Sequence, residues 1–205
     1  MGNKENYDDV IITSLKRELK DLGYKFFENG KYNLNIIGVR RNTPIASDTF
    51  RDTLYVIYKD SDEKDAKFIL KKYKITTTPG ISQLDKPSNV KGTAILVPNQ
   101  YCGSWKLGLH KGQYEALVQI KPVKVYRDNN KDHKYDFSPK AMDNGIFGIN
   151  IHRASPNHTS TIVGDWSAGC QVFSDPKEFN EFITLCKKQN EVYKSNNFTY
   201  TLITE

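Results

Sequence analysis

A histidine and a cysteine stand close together in the sequence, in settings that favour nucleophilic catalysis. His152 ends the apolar run FGINIH, and Cys170 lies in the turn-like stretch DWSAGCQVF. An imidazole within hydrogen-bond reach of a thiol lowers the thiol pKa and takes its proton, which produces the attacking thiolate. Gly169 lets the backbone approach a substrate closely and present N–H groups to an oxyanion. The pattern therefore predicts Cys170 as a nucleophile and His152 as its base.

The residues around this pair resemble the signature of the L,D-transpeptidase catalytic domain, which is a strand-borne His, an interval and then Ser-x-Gly-Cys. The matching stretches are INIHRA and VGDWSAGCQV, and the resemblance covers about residues 145–173. It implies that Cys170 attacks a peptidoglycan stem peptide to form a thioester, with His152 as the base. It also implies that a main-chain carbonyl at or just after Arg153 orients the imidazole. No cofactor is implied.

Further residues near the pair are candidates to shape the site or to contact substrate. The resemblance implies that Ser167 and Gly169 shape the cysteine loop. His110 ends the strand-like stretch SWKLGLH just before a turn, which makes it a candidate to line the pocket. The residues assigned to substrate binding are Ser167, Arg153, Trp166, Gln171 and His110.

Two positions depart from the family pattern. Ala168 stands where family members commonly have His or Lys, and Val172 stands where they often have Arg or Asn. Gln171 or Arg153 would then supply the missing polar contacts. Such departures are typical of a diverged branch, for example one encoded by a phage. They leave open an alternative from another class, a catalytically silent structural or binding module of a phage particle or wall-targeting assembly.

Metal binding is another use of the same residue types. Zinc prefers His and thiolate ligands, but the histidines and Cys170 show no compact ligand spacing, so no metal site is assigned. The stretch DNNKDHKYD carries Asp128, Asn130, Asp132 and Asp136 at alternate positions, as calcium loops do. It lacks the glycine that such a loop needs for its sharp turn, so a solvated turn is favoured over calcium.

The elements that must position the pair follow from hydrophobic periodicity. Apolar residues recur at helical spacing between Tyr7 and Leu22, and Gly23 is a plausible stop. Runs of β-branched and aromatic residues between turn residues predict a succession of strands, whereas residues 81–89 read as a loop. The stretch DPKEFNEFITLCKKQNE predicts a helix, and FTYTLIT predicts a closing strand.

These segments predict a mostly β, α+β fold in a single domain, residues 1–205. We expect a bent mixed sheet or a partly closed β-barrel of the L,D-transpeptidase type with flanking helices. Residues 1–23 would form an N-terminal helix and residues 24–144 a β-rich part. Residues 145–205 would carry the His/Cys segment, a C-terminal helix and a strand.

The composition suits a folded protein with an anionic partner. The 205 residues are 38% hydrophobic and 26% charged, with a formal net charge of +6, which is ordinary for a globular domain. This charge suits nucleic acid, a bacterial wall polymer such as peptidoglycan, or a membrane surface, and by itself does not choose among them. Nucleic acid is not expected, because no basic tract or aromatic stacking signature accompanies the lysines. Arg40, Arg127 and Arg153 are candidate contacts for a substrate carboxylate.

The same sequence bears on where the protein would act. No apolar run is long enough to span a bilayer, so membrane insertion is not expected. The stretch MGNKENYDDV lacks the apolar segment of a signal peptide. Cys102, Cys170 and Cys186 resemble no disulfide framework, which fits a reducing compartment. We therefore expect synthesis in the cytoplasm and action at the bacterial cell wall, with phage delivery as one route.

Overall fold

The chain folds around a closed β-barrel. A computed structural model describes residues 2–205, with side chains from residue 7 onward. The helices are α1 (Gly2–Asp21), α2 (Ile81–Asp85) and α3 (Pro176–Tyr193), with short 3₁₀ turns at Pro139–Ala141 and Gly164–Trp166. The strands are β1 (Asn35–Arg40), β2 (Asp52–Tyr58), β3 (Ile69–Thr76), β4 (Thr93–Leu96), β5 (Asn99–His110), β6 (Tyr114–Gln119), β7 (Val123–Asp128), β8 (Met142–Gly145), β9 (Ile151–Arg153), β10 (Gln171–Phe173) and β11 (Phe198–Thr204).

Eight strands close the barrel in the order β1-β11-β5-β6-β9-β10-β3-β2, and a separate sheet has the order β4-β7-β8. Two barrel pairs are parallel, β1 with β11 and β9 with β10. Parallel neighbours need a crossover connection, and the connection between β9 and β10 is the segment that carries the cysteine. In that pair Val172 lies opposite His152 and Gln171 lies opposite Ile151. The strand register therefore sets the cysteine loop beside the histidine.

The core fills the barrel with large apolar side chains and extends under α3. Trp105 is fully buried, packs edge-on against Tyr200, and donates its indole N–H to Ile149 O (2.7 Å). The inner face of α3 adds Phe179 and Phe182 to the same cluster. Pro176 begins α3, and the Asp175 side chain caps it by accepting from the amides of residues 177 and 178. This packing holds α3 against the strands that carry the cysteine and histidine.

A second apolar cluster lies between α1 and the outside of the barrel. Ile12, Leu15 and Leu19 of α1 are buried against Ile37 and Ile57 of the strands, among others. The helix ends as its sequence predicts. Gly23 adopts a left-handed conformation (φ +74°), and the Tyr24 N–H donates to Leu19 O (2.7 Å).

The predicted mostly β, α+β class is confirmed, with two differences in detail. The barrel is closed rather than bent or partly closed, because β1 pairs with β2 on one side and with β11 on the other. Residues 81–89, predicted as a loop, begin with the short helix α2. Its Leu84 is buried beside Ile95 and Tyr135, and this burial outweighs the polar character of the segment. No helix within residues 2–205 is long and apolar enough to cross a membrane.

Candidate active site

His152 and Cys170 line the same cavity, as their strand positions predict. Cys170 directly precedes β10, and the next amide along, that of Gln171, donates to Asn150 O (2.9 Å). Asn150 directly precedes β9, in which His152 lies. The two functional side chains therefore come from adjacent parallel strands. The barrel, rather than a mobile loop, sets their separation.

The orientation of the His152 ring is fixed by a backbone carbonyl. Its Nδ1 lies 2.8 Å from Arg153 O, so the carbonyl partner predicted at Arg153 is confirmed. A carbonyl oxygen only accepts, so Nδ1 carries the proton and Nε2 keeps the lone pair. The Tyr114 hydroxyl donates to the same carbonyl (3.1 Å) and supports this arrangement. Nε2 is therefore the ring atom available as a base.

Burial keeps His152 neutral. The side chain is buried, and this desolvation, together with the neighbouring His110, lowers its pKa from 6.5 to about 3. The hydrogen bond to Arg153 O acts in the opposite direction and is outweighed. At neutral pH the ring is an uncharged acceptor.

The Cys170 thiol is partly exposed and hydrogen-bonded to the backbone. Its Sγ donates to Gly148 O (3.4 Å) and accepts from the Asn150 N–H (3.5 Å). Burial by the surrounding protein raises the pKa of the thiol to about 11, and the Asn150 amide and Lys111 oppose that rise. The expectation that His152 lowers this pKa is therefore wrong for the resting protein. Both members of the pair are neutral.

The loop before Cys170 is held by a single hydroxyl. Ser167 Oγ donates to Cys170 O (2.9 Å) and accepts from the Gly169 N–H (3.2 Å), while Ser167 O accepts from the Gly80 N–H (3.0 Å). Gly169 has φ +122°, and a Cβ there would collide with Ala94 O of the second sheet. Only glycine fits this position. Ser167 and Gly169 thus shape the cysteine loop.

His110 lies flat on His152. The ring centroids are 4.0 Å apart and the ring planes differ by 21°. His110 is buried, and its Nδ1 lies 3.1 Å from Asn150 Nδ2. Burial and the neighbouring Lys111 lower the pKa of His110, so this ring is uncharged near neutral pH as well. His110 therefore lines the pocket, the position for which it was a candidate, and its role in substrate binding stays a prediction.

The cavity has a volume of about 580 Å³ and contains both imidazoles and the thiol. Its wall combines backbone from the loop before β9 with polar and charged side chains of the second sheet and with the half-exposed Trp166. The lining residues are Ser88, Asn89, Gly92, Thr93, Ala94, His110, Lys111, Arg127, Ile146, Phe147, Gly148, Ile149, Asn150, His152, Asp165, Trp166, Ala168 and Cys170.

Three residues assigned to substrate binding lie away from the cavity wall, so those assignments need correction. Gln171 is fully buried, where it donates to Gly169 O (3.2 Å) and accepts from the Tyr200 hydroxyl (2.8 Å). Ser167 is equally buried and acts on the loop. Arg153 stacks its guanidinium on the Tyr114 ring (4.0 Å). All three act on the site indirectly, because they contact the backbone and the side chains behind the cavity wall.

The other two candidate arginines differ in position. Arg40 is buried in the protein interior and donates to Thr77 Oγ1, Thr77 O and Leu96 O. Arg127 does line the cavity, where it donates to Gly92 O (3.1 Å) and pairs with Asp143 (3.3 Å). Of these two arginines, Arg127 is the one that lies where a substrate beside Cys170 would meet it.

Sequence reasoning missed Asn150 and Tyr114, which organise the site. The backbone N–H of Asn150 contacts the thiol, and its side-chain Nδ2 contacts His110. Tyr114 and His152 both bond to the Arg153 carbonyl. Tyr114 begins β6 and is brought to the site by barrel pairing, which leaves no local signal in the sequence. Asn150, two positions before His152 in an apolar run, is a polar residue that such a run makes conspicuous.

The acidic loop after β7 is a set of turns closed by its own side chains. Asp128 Oδ2 accepts from the Asp136 N–H (2.9 Å), Asn130 Oδ1 from the Asp132 N–H (3.2 Å), and Asp132 Oδ1 from the Lys134 N–H (2.8 Å). The predicted solvated turn describes the exposed residues 129–134, whereas Asp128 is buried and its Oδ1 has no hydrogen-bond partner among residues 7–205. Among residues 2–205 no group of three or more His, Cys, Asp or Glu is arranged to hold a metal ion.

Comparison with known proteins adds no relative to this picture: no family model, curated protein or solved structure matches the chain.

Proposed function

We propose that the protein is a cysteine acyltransferase or peptidase that acts on peptidoglycan stem peptides. One observation carries the proposal: a thiol and an imidazole with a free Nε2 line one accessible cavity, and the second imidazole nitrogen is tied to a backbone carbonyl. This is the arrangement of a nucleophile, a base and a group that orients the base. The likeness of INIHRA and VGDWSAGCQV to the L,D-transpeptidase signature supports the stem peptide as the substrate.

The chemistry begins from a neutral pair. As Cys170 Sγ bonds to the carbonyl carbon of a substrate amide, the thiol proton passes to His152 Nε2 and the π electrons of the carbonyl move onto its oxygen. The tetrahedral intermediate then collapses, the C–N bond breaks, and His152 returns the proton to the leaving amine. A thioester on Cys170 remains. An acceptor amine gives a cross-link, and water gives hydrolysis.

The resting hydrogen bonds define what must change on substrate binding. The thiol proton points to Gly148 O, so attack requires rotation of the Cys170 side chain toward His152. Catalytic hydrogen bonds are often completed only in the substrate complex. A neutral resting thiol also resists oxidation and alkylation, because the thiolate is the reactive form.

The charge of the cavity suits an acidic substrate. Lys111 and Arg127 line it together with one carboxylate, Asp165. Arg127 is paired with Asp143, so Lys111 is the cation there without an acidic partner among residues 7–205. The chain as a whole carries a net charge of +6. Stem peptides carry carboxylates, which these cations would attract. With this substrate, the protein would act at the bacterial cell wall, and phage delivery remains the proposed route.

The proposal is tested by digesting purified peptidoglycan with the protein and analysing the muropeptides by mass spectrometry. Wild type should shorten or cross-link stem peptides, and Cys170→Ala should leave them unchanged. His152→Gln should lower the rate about 10²–10⁴-fold, the usual contribution of a general base. Cys102→Ala, at an exposed cysteine, is the matched control and should retain full activity. A wild-type profile identical to that of Cys170→Ala would contradict the proposal.

A silent binding module is the second candidate, favoured by the raised pKa of Cys170 and its bond to Gly148 O. Such a module would bind peptidoglycan in a sedimentation assay equally well with Cys170 or Ala at this position, and no acyl-enzyme would form. Intact-protein mass spectrometry after brief exposure to muropeptides separates the two candidates, since only the enzyme gains the mass of an acyl group.

A further inference from the structure

The cysteine loop supplies fewer oxyanion donors than its sequence predicts. Acyl transfer places negative charge on the carbonyl oxygen, and preorganised N–H donors stabilise that charge. The Gly169 N–H is already bound to Ser167 Oγ (3.2 Å). The Cys170 N–H donates to no atom within residues 2–205, so it is the donor that the loop leaves open. A second donor has to come from another element.

The proton on His110 is fixed by Asn150. Asn150 Oδ1 accepts from the backbone N–H of Gln119 (3.0 Å), which can only donate, so the orientation of the amide group is determined. Asn150 Nδ2 therefore points at His110 and donates to its Nδ1 (3.1 Å). Neutral His110 must then carry its proton on Nε2. That atom is a hydrogen-bond donor.

The two stacked rings therefore hold opposite tautomers. His152 has its proton on Nδ1 and His110 has its proton on Nε2, and in each ring Nδ1 is occupied by the protein. The Nε2 atoms are the polar ring atoms left for a ligand in the cavity that both rings line. One Nε2 accepts and the other donates. The titratable and charged groups around the rings are Tyr114, Cys170, Lys111 and Arg153.

We infer that His110 is a catalytic residue whose Nε2–H donates a hydrogen bond to the acyl oxygen while Cys170 attacks the carbonyl carbon. The inference rests on the proposed function. The proton on His110 stays in place throughout, because the electron pair that reaches the oxygen returns to carbon when the leaving group departs. His152 moves the proton, and His110 stabilises the charge. Stacking holds the two rings 4.0 Å apart in the cavity that also contains the thiol.

The tautomers are tested in the free protein, without any substrate. Two-bond ¹H–¹⁵N correlation spectra of ¹⁵N-labelled protein at neutral pH report which ring nitrogen of each histidine carries the proton. We expect Nδ1–H for one buried ring and Nε2–H for the other, assigned through His110→Gln and His152→Gln spectra. Asn150→Asp, which replaces the Nδ2 donor by an acceptor, should move the His110 proton to Nδ1. His110 with Nδ1–H in wild type would overturn the inference.

The catalytic role is tested with two thiol reagents of different chemistry, in a Cys102→Ser background. Acylation of Cys170 by p-nitrophenyl acetate passes through an oxyanion, whereas alkylation by iodoacetamide does not. His110→Phe keeps a flat ring and removes the N–H. It should slow acylation about 10²–10³-fold, the usual effect of losing one oxyanion donor, and change alkylation less than about threefold. His110→Gln, which restores an N–H donor, should recover part of the acylation rate.

A control variant and the outcomes that would overturn the inference can be told apart by the two reaction rates. His133→Gln changes an exposed histidine bound to Asp85 and should leave both reactions at the wild-type rate. Equal slowing of acylation and alkylation by His110→Phe would indicate a structural role and overturn the inference, as would no slowing of either. A failure of the proposed function appears elsewhere, as unchanged muropeptides with the acylation difference intact.

Discussion

The protein contains two buried polar clusters that differ in how completely their hydrogen bonds are satisfied. In the Arg40 cluster, Arg40 donates to Thr77 Oγ1, Thr77 O and Leu96 O, and Asp52 accepts from the Arg41 and Thr77 amides and the Thr77 hydroxyl. In the imidazole cluster, His110 and His152 each use Nδ1 within the protein, and neither Nε2 has a hydrogen bond to any of residues 7–205.

The difference separates a structural cluster from a functional one. In the Arg40 cluster each nitrogen of the buried guanidinium donates a hydrogen bond to the protein, and such a bonded charge stabilises one arrangement of the chain. A cluster that is bonded on one side and open to a cavity on the other has its geometry fixed and its reactive atoms free. Burial alone does not distinguish the two, because His152 and Arg40 are almost equally buried, at 3% and 1% exposure.

The largest expected effect on stability comes from breaking the closed cluster. Arg40→Met removes the three hydrogen bonds of the buried guanidinium and its charge interaction with the buried Asp52, so the free energy of unfolding should fall by about 3–5 kcal/mol. Urea unfolding followed by circular dichroism measures this change. Arg41→Met alters the exposed neighbouring arginine and should stay within about 0.5 kcal/mol of wild type. A loss below about 1 kcal/mol for Arg40→Met would remove the contrast between the clusters.

The imidazole cluster should appear as a loss of stability in acid. The unfolded chain protonates a histidine near pH 6.5, whereas His152 in the folded protein protonates only near pH 3. Between these values the unfolded state binds the extra proton, so stability is full above about pH 6.5 and falls as the pH decreases. At about 1.4 kcal/mol for each pH unit, the loss by pH 4 is about 3 kcal/mol.

His152→Gln should flatten this part of the stability profile, and His133→Gln should not. The difference between the two variants isolates His152 from the carboxylates that titrate in the same range. The measurement is the urea midpoint at half-unit pH intervals from 4 to 7. Parallel profiles for wild type and His152→Gln would show that His152 has the same pKa in the folded and the unfolded protein, contrary to its burial.

The smallest expected effect lies in the cysteine loop, which joins the open cluster to the barrel. Ser167→Ala removes the bonds to Cys170 O and the Gly169 N–H, so unfolding should become easier by about 1–2 kcal/mol. The rate at which Cys170 is alkylated in the folded protein should also move closer to its rate in the unfolded chain. Ser61→Ala, at an exposed serine that accepts from the Glu63 amide, is the comparison and should change neither quantity. A stability equal to wild type would show that the loop does not need its hydroxyl.

Local sequence patterns predict much of this fold and half of the site. Periodicity identifies α1, α3 and the strand runs, and the end of an apolar run places His152 where a neighbouring turn can bring Cys170. Barrel closure was not predictable, since the pairing of β1 with β11 depends on contacts between distant residues. The stacking of His110 on His152 depends on the same long-range order. The Gly169 N–H was predicted to be open to an oxyanion, because the sequence does not reveal that this N–H donates to Ser167 Oγ.

The pairing of β1 with β11 also has a consequence for biosynthesis. Residues 198–204 form β11, which lies between β1 and β5. While these residues are still inside the ribosome, β1 and β5 each have an edge without a partner strand. Unpaired strand edges recruit other strands. The barrel can therefore close only after β11 has left the ribosome, and until then the pairing of β9 with β10 has to persist in an open sheet.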